Sequence, residues 1–266
     1  MFFKKKRIIQ YKTEYPIEDL GLLRTRKEVY EFFKPDNLLA ILPYWVGPSP
    51  ILHLPANMLV MPGGHSFISE ESPFSIALMS GLNKLTEFYC KFAPKNIVEM
   101  YGLKFKGLRG ENLPPWEIPW LLRNRVPPSA EMGLGIEHGV SFYGPASDKK
   151  IMLEMKRLES IVKSIKKISY CPKIDGHIEG FLMQNEGEFR FFVLGGKHRT
   201  AALIFLGKER VPVRIRATMP RVIDRRCSSH WPLVKSGVMD EGLALKVFDS
   251  YFNCLEPMAR ITTLKN

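Results

Sequence analysis

Six consecutive residues, Gly195, Gly196, Lys197, His198, Arg199 and Thr200, have the types and spacing to hold a phosphate group. Two adjacent glycines let the backbone turn sharply and come close to a ligand. If a helix starts directly after them, the N–H groups of its first turn have no intrahelical carbonyl to bond, and its dipole favours an anion. Lys197, His198 and Arg199 add positive charge and donors on that turn, and the Thr200 hydroxyl can reach phosphate or metal. A second set, Asp175, His177 and Glu179, lies just upstream. On a strand, alternate residues share one face, so two carboxylates would flank an imidazole. Such a set suits Mg²⁺ between phosphate oxygens, or a general base. The plainer alternatives are a tight turn with solvated basic side chains and the polar outer face of an edge strand.

Placing these groups takes a strand, a loop, a helix and a return strand, and the sequence has a candidate for each. Phe191, Phe192, Val193 and Leu194 form an apolar, aromatic and β-branched run that predicts a buried strand. Residues 200–206 are compact and apolar, as a short helix requires, and Gly207 stands where helices stop. Residues 208–215 predict a second strand with Pro212 near its start or edge. The four residues 185–188 predict a hairpin turn leading into the strand before the glycines. Residues 149–168 predict a helix, with Ile151, Met155, Leu158, Val162 and Ile165 at three- and four-residue steps and Ser147 or Asp148 as its cap. Lys149, Lys150, Lys156, Lys163, Lys166 and Lys167 fall on its other face, which is either solvated or turned to a polyanion. Residues 138–145 predict a strand before that helix.

This run resembles the signature of the ParB/sulfiredoxin-like superfamily. Sulfiredoxins carry a Gly-Gly-Cys-His-Arg loop between an apolar strand and a helix that ends in a Leu-Gly-like turn before a Val/Ile-Pro strand. The corresponding residues here are Gly195 to Arg199, then Leu206-Gly207, then Val211-Pro212. ParB-like domains also place a helix ending near a Ser-Ile pair, which Ser164 and Ile165 fit. The resemblance implies an α/β (α+β) fold, a small mixed sheet with flanking helices, here with an N-terminal α/β extension packed on it. It also implies a loop that holds nucleotide phosphates, with a nucleoside triphosphate such as ATP, and Mg²⁺, as cofactors. One departure matters: Lys197 occupies the place of the reactive cysteine, and an ammonium cannot replace a thiolate nucleophile. Sulfinic-acid reduction is therefore not expected. The tail, with Trp231-Pro232 and a Phe-Asp-Ser-Tyr-Phe ending at Phe252, is similar to uncharacterised ParB-like proteins of bacterial surface-polysaccharide gene clusters.

Composition bounds these readings. The chain has 266 residues, 45% hydrophobic and 25% charged, with a formal charge of +12. Such a balance suits nucleotides, nucleic acid, polyphosphates or an anionic surface. No apolar run approaches the roughly 18 residues of a membrane span, and the start lacks the long apolar core of a secretory signal. Cys90, Cys171, Cys227 and Cys254 lie far apart, without metal-ligand spacing, as free thiols of a cytoplasmic protein would. Lys4, Lys5, Lys6 and Arg7 form the densest basic run, read as a solvated tail or a polyanion-binding arm. Residues 25–33 predict a helix stopped by Pro35, and residues 51–61 a buried strand. Gly63-Gly64-His65-Ser66 is a second glycine loop, read as a plain turn or as another pocket wall. Residues 80–92 predict an amphipathic helix, and the Pro- and Trp-rich residues 112–128 a linker or wrapping segment. Trp116 and Trp120 would stack on a base or sugar, or pin a loop to the core. A last amphipathic helix is expected over residues 240–252.

These expectations divide the chain into residues 1–128, an α/β region; 129–218, the nucleotide-binding domain; and 219–266, a helical tail. They favour a nucleotide-dependent phosphotransferase or hydrolase acting on a small molecule or glycan precursor. Asp175, His177 or Glu179 would serve as base or metal ligand, and Gly195 to Thr200 as the phosphate site. The alternatives are a nucleic-acid-binding protein or nuclease, and a nucleotide-binding switch without turnover.

Overall fold

The computed structural model describes residues 51–104, 107–121 and 133–253. The expected basic arm at Lys4–Arg7, the helix over residues 25–33, Cys254 and residues 122–128 of the wrapping segment lie outside them. Among the described residues, seven strands form one mixed sheet: β1 (Ile51–Pro55), β2 (Leu59–Met61), β3 (His65–Ser66), β4 (Ile178–Asn185), β5 (Glu188–Gly195), β6 (Arg210–Ile215) and β7 (Val222–Asp224). Their order is β1-β6-β4-β5-β2-β3, with β7 pairing the far half of β4. The pairs β1–β6, β4–β5 and β2–β3 are antiparallel; β4–β6, β2–β5 and β4–β7 are parallel.

The mixed sheet with flanking helices is the α+β architecture expected, and the part of the N-terminal extension at residues 51–66 joins that sheet as strands. The single strand expected over residues 51–61 is two, parted by a 3₁₀ turn at Ala56–Met58. That turn sends β1 to one side of the sheet and β2 to the other. Pro212 lies near the start of β6, one of the two places expected, and not at a sheet edge, since β6 has β1 and β4 on its two flanks. It is tolerated because β4 begins only opposite Val213, so the missing N–H interrupts no β4 ladder. Residues 138–145 form no strand. They hold the end of a 3₁₀ turn at Ile136–His138, bends, and a cis Gly144–Pro145 bond.

The helices are α1 (Pro73–Lys91), α2 (Ile97–Met100), α3 (Asp148–Ile168), α4 (Pro172–Asp175), α5 (Lys197–Phe205), α6 (Pro232–Lys235) and α7 (Glu241–Asp249). α1, α3 and α5 pack on one another. Ser147 caps α3, its hydroxyl accepting from the Lys150 N–H, and Asp240 caps α7 by accepting from Gly242 N–H. Ile151, Leu158 and Ile165 of α3 are buried as the periodicity requires. Lys150 departs from its expected place on the solvated face. It is fully buried, its ammonium donating to Ser141 O and lying 5.3 Å from the Tyr89 ring centroid.

Aromatic side chains lock the tail to the sheet. Phe181 and Phe192 stack on neighbouring strands with centroids 4.8 Å apart, and Phe192 meets Tyr251 at 5.4 Å. Trp120 contacts Trp231, Phe248 and Tyr251, so it pins its loop to the core. Tyr101 and Tyr251 share a buried hydroxyl–hydroxyl bond of 2.6 Å. No helix among the described residues is long and apolar enough to cross a membrane.

Candidate functional site

β5 ends at Gly195, and Gly196 turns the chain into α5. Gly196 has φ 85° and ψ 22°, the left-handed region that side chains avoid, and a Cβ there would stand 3.1 Å from Ile178 Cα. Gly195 is not required in the same way, since a Cβ there would meet nothing within 4 Å. α5 begins at Lys197 with no side-chain cap, and its helical bonding starts with Thr200 N–H to Gly196 O at 2.9 Å. The nine-residue helix therefore presents the positive end of its dipole at the glycine turn.

A cavity of about 400 Å³ opens there. Its lining is Leu194, Gly196, Lys197, His198 and Arg199 from the β5–α5 turn, Arg157, Ser160, Ile161, Ser164 and Ile165 from α3, and Tyr170 and Asp175 from the α3–α4 connection and α4. Three cationic side chains, Arg157, Lys197 and Arg199, share this lining with one carboxylate. The Ser164-Ile165 pair singled out in the sequence forms part of the wall.

The expected phosphate residues divide in two. Gly196, Lys197, His198 and Arg199 line the cavity; Gly195 and Thr200 do not. Thr200 is fully buried and its hydroxyl donates back to Gly196 O at 3.1 Å, so it is spent on the helix itself. His198 reaches the lining but its ring is engaged in the core. Nε2 lies 3.2 Å from Glu154 Oε2, both residues are buried, and the ring packs on Phe74 at 4.5 Å. Lys197 Nζ donates to Leu194 O at 3.0 Å, holding the ammonium beside the turn.

Arg199 spans a gap. Its Nη1 donates to Asp175 O and its Nη2 to His177 O at 3.0 Å, while Nε is buried without a hydrogen-bond partner. Between those carbonyls, Gly176 O accepts from the Tyr170 hydroxyl at 2.8 Å. Two side chains thus hold three successive carbonyls.

The expected alternation of Asp175, His177 and Glu179 on one strand face is not found. Asp175 closes the short helix α4, Gly176 turns with φ 82°, and β4 starts only at Ile178. The Asp-Gly-His segment reads as strand by its flanking residues, but the glycine supplies a turn instead. Asp175 faces the cavity, with Oδ2 accepting from Cys171 N–H at 2.7 Å. Glu179 bonds Arg214 across the β4–β6 pair, its Oε1 accepting from Nε at 3.2 Å and also from Nη2. The three do not converge, and no group of three His, Cys, Asp or Glu side chains fit to hold a metal occurs among the described residues.

Arg157, Ser160 and Tyr170 were not singled out as site residues. The signal was present on α3, where Arg157, Ser160, Ile161 and Ser164 recur at helical spacing, a stripe with one cation and two small hydroxyls beside the buried one. Tyr170 had no comparable signal.

Residues 143–224 match the family described as the ParB N-terminal domain. The match runs from the residues before α3 through β7 and takes in every group lining the cavity. It agrees with the superfamily resemblance carried by the glycine loop. No curated protein and no solved structure matches the chain.

Proposed function

We propose, taking the ParB N-terminal domain of residues 143–224 as the premise, that the cavity at the start of α5 binds the phosphate groups of a nucleotide. The observation that carries this reading is the open hollow in front of the Gly196 turn, lined by Lys197, Arg199 and Arg157. A helix start adds N–H donors and a favourable dipole to that charge. Cations fixed around the phosphates would also stabilise charge that builds on them during transfer.

Nucleoside triphosphates, ATP first, are the ligands to test, and a phosphotransferase or hydrolase acting on a small molecule or glycan precursor is the activity in view. Asp175 is the carboxylate in the lining and the candidate to take a proton. A divalent ion would arrive on the phosphates, as Mg²⁺ commonly does with one or two carboxylates in support. The Glu179–Arg214 pair makes Glu179 a poor candidate for that support.

Thermal unfolding with ATP, CTP and ADP, with and without Mg²⁺, tests the reading. A ligand at about a hundred times its Kd adds about 2.7 kcal/mol of stability. Lys197→Ala and Arg157→Ala should each weaken the effect. No shift with any nucleotide, in a protein that unfolds cooperatively, would sink the proposal. Phosphate release then separates turnover from a switch that only binds.

One observation favours a second reading, nucleic-acid binding: Lys149, Lys156, Lys163, Lys166 and Lys167 are all exposed along α3. Duplex DNA binding that falls steeply with salt, and falls further when these lysines are changed to Glu, would support it. Equal binding by the lysine variants would count against it.

A further inference from the structure

The guanidinium of Arg199 lies in the cavity lining, yet its two terminal nitrogens already donate to Asp175 O and His177 O. The Tyr170 hydroxyl holds the intervening Gly176 O. Three consecutive backbone carbonyls are thereby tied to the base of α5 and to the end of α3. The same segment carries Asp175, whose Oδ2 is fixed by Cys171 N–H. A carboxylate beside an anion site repels phosphate. It belongs opposite a part of the ligand that carries donors.

We infer that Arg199 is a positioning residue: it holds the Asp175 carboxylate at the cavity rim, where that carboxylate accepts a hydroxyl of the nucleoside. This rests on the nucleotide-binding reading above and gives Asp175 a binding role in place of proton transfer. Phosphate contact falls to Lys197, Arg157 and the N–H groups of the α5 start. Arg199 acts through the backbone of residues 175–177. Without it, the turn at Gly176 loses two of its three side-chain ties, and Asp175 is held from one side only, by Cys171, whose N–H donates to Oδ2 and whose carbonyl accepts from the Asp175 N–H.

Gly176 offers a way to break the strut without removing the charge. A Cβ there would stand 2.7 Å from Arg199 Nη1, and the residue's φ of 82° disfavours any side chain. Gly176→Ala therefore displaces the guanidinium while the cation stays in the site. The probes are ATP and inorganic tripolyphosphate, which share the phosphates and differ by the nucleoside. A hydrogen bond to a charged group is worth about tenfold or more in affinity.

In Gly176→Ala, ATP should bind about tenfold or more weakly, with tripolyphosphate within about twofold of the wild type. Asp175→Ala should show the same selective loss, and the Asp175→Ala/Gly176→Ala pair should lose no more than either alone, because the two act on one contact. Amides 175–178 should exchange faster in ligand-free Gly176→Ala and Arg199→Ala. Should Gly176→Ala not fold, Tyr170→Phe removes one tie without a clash and should show a smaller loss of the same kind. An Arg199 that binds phosphate directly gives the opposite pattern: Gly176→Ala weakens both probes equally, or leaves ATP unchanged or tighter, and the inference is overturned alone. Wild-type protein that binds neither probe overturns the nucleotide reading and this inference with it.

Discussion

The chain contains two glycine pairs followed closely by a histidine, and the sheet sets them side by side. Gly63-Gly64-His65 follows β2, and Gly195-Gly196-Lys197-His198 follows β5. β2 and β5 are parallel neighbours, with Leu59 opposite Phe191 and Val60 opposite Phe192, so both loops leave the same end of the sheet. The first doubles back at once into β3, antiparallel to β2. Its His65 is fully buried, with Phe92 at 5.2 Å and Phe88 and Phe142 at just over 6 Å, all edge-on. The second runs into a helix and leaves a cavity at its mouth. The glycines are common to both; what differs is the continuation. Ser66 and Phe67 complete a hairpin and a core contact, whereas Lys197 to Phe205 can only become a helix, and a helix start has donors to offer. In neither loop is the histidine ring a solvent-facing group, although the sequence invites that reading in both.

If the histidines are parts of the core, removing one should cost stability first. His198→Ala removes the hydrogen bond between the imidazole and the buried Glu154 carboxyl, and losing the partner of a buried polar group costs about 1–3 kcal/mol. We expect that loss in chemical denaturation, with nucleotide affinity of the folded fraction changed far less. The reverse result, a stable protein that no longer binds nucleotide, would return His198 to the phosphate site. A matched pair of glycine variants comes next. Gly63→Ala and Gly196→Ala both place a side chain at positive φ, 89° and 85°, a strain of about 1–3 kcal/mol. A Cβ at Gly63 would also lie 2.7 Å from the His65 ring. Both should unfold at lower denaturant. Only Gly196→Ala should also lose ATP affinity, by about tenfold, if about 1.4 kcal/mol of its strain falls on the bound geometry. Equal affinities in the two variants would erase the distinction drawn between the loops.

The glycine turn and helix start that border the cavity were legible because they rest on local signals. A β-strand run, a glycine turn, basic residues and an apolar helix occupy contiguous residues, and Lys197, Arg199 and Gly196 are found at the cavity as their order implies. α3 was legible from its period, and Trp120 from the bulk that a core contact absorbs. What local pattern cannot supply is where a long side chain ends. Lys150 looks like its neighbours in sequence, but its stem runs inward to Ser141 O and Tyr89. Arg199 looks like a phosphate ligand, but carbonyls more than twenty residues upstream reach it first. The splitting of residues 51–61 into strands on opposite flanks of the sheet depends on which partners β6 and β5 offer, and those lie over a hundred residues away. Asp175 illustrates the limit in one residue: it lies in the cavity lining near the glycine turn, while the strand meant to carry it is a helix end.

The smallest effect concerns the outer surface of α1, the helix that supplies Phe88, with Phe92 just past its end, to the closed loop. Lys84 and Lys91 both donate to Glu87 there, Lys84 at 2.8 Å, on the solvent side. The hydrogen bonds from Lys84 and then Lys91, with their charges, hold the Glu87 carboxyl down to about 2. A carboxyl depressed in the folded state contributes stability above its unfolded value of about 4.3 and loses it as pH falls through the folded value. The contribution should therefore be present at neutral pH and disappear between about pH 4.3 and 2. These groups are exposed, and such pairs are screened and weak. Glu87→Gln should leave the melting temperature at pH 7 nearly unchanged in moderate salt, and any difference from the wild type should close on acidification. A large drop at pH 7 would mean that α1 depends on its outer face, and that the aromatic packing around His65 is not what holds the closed loop shut.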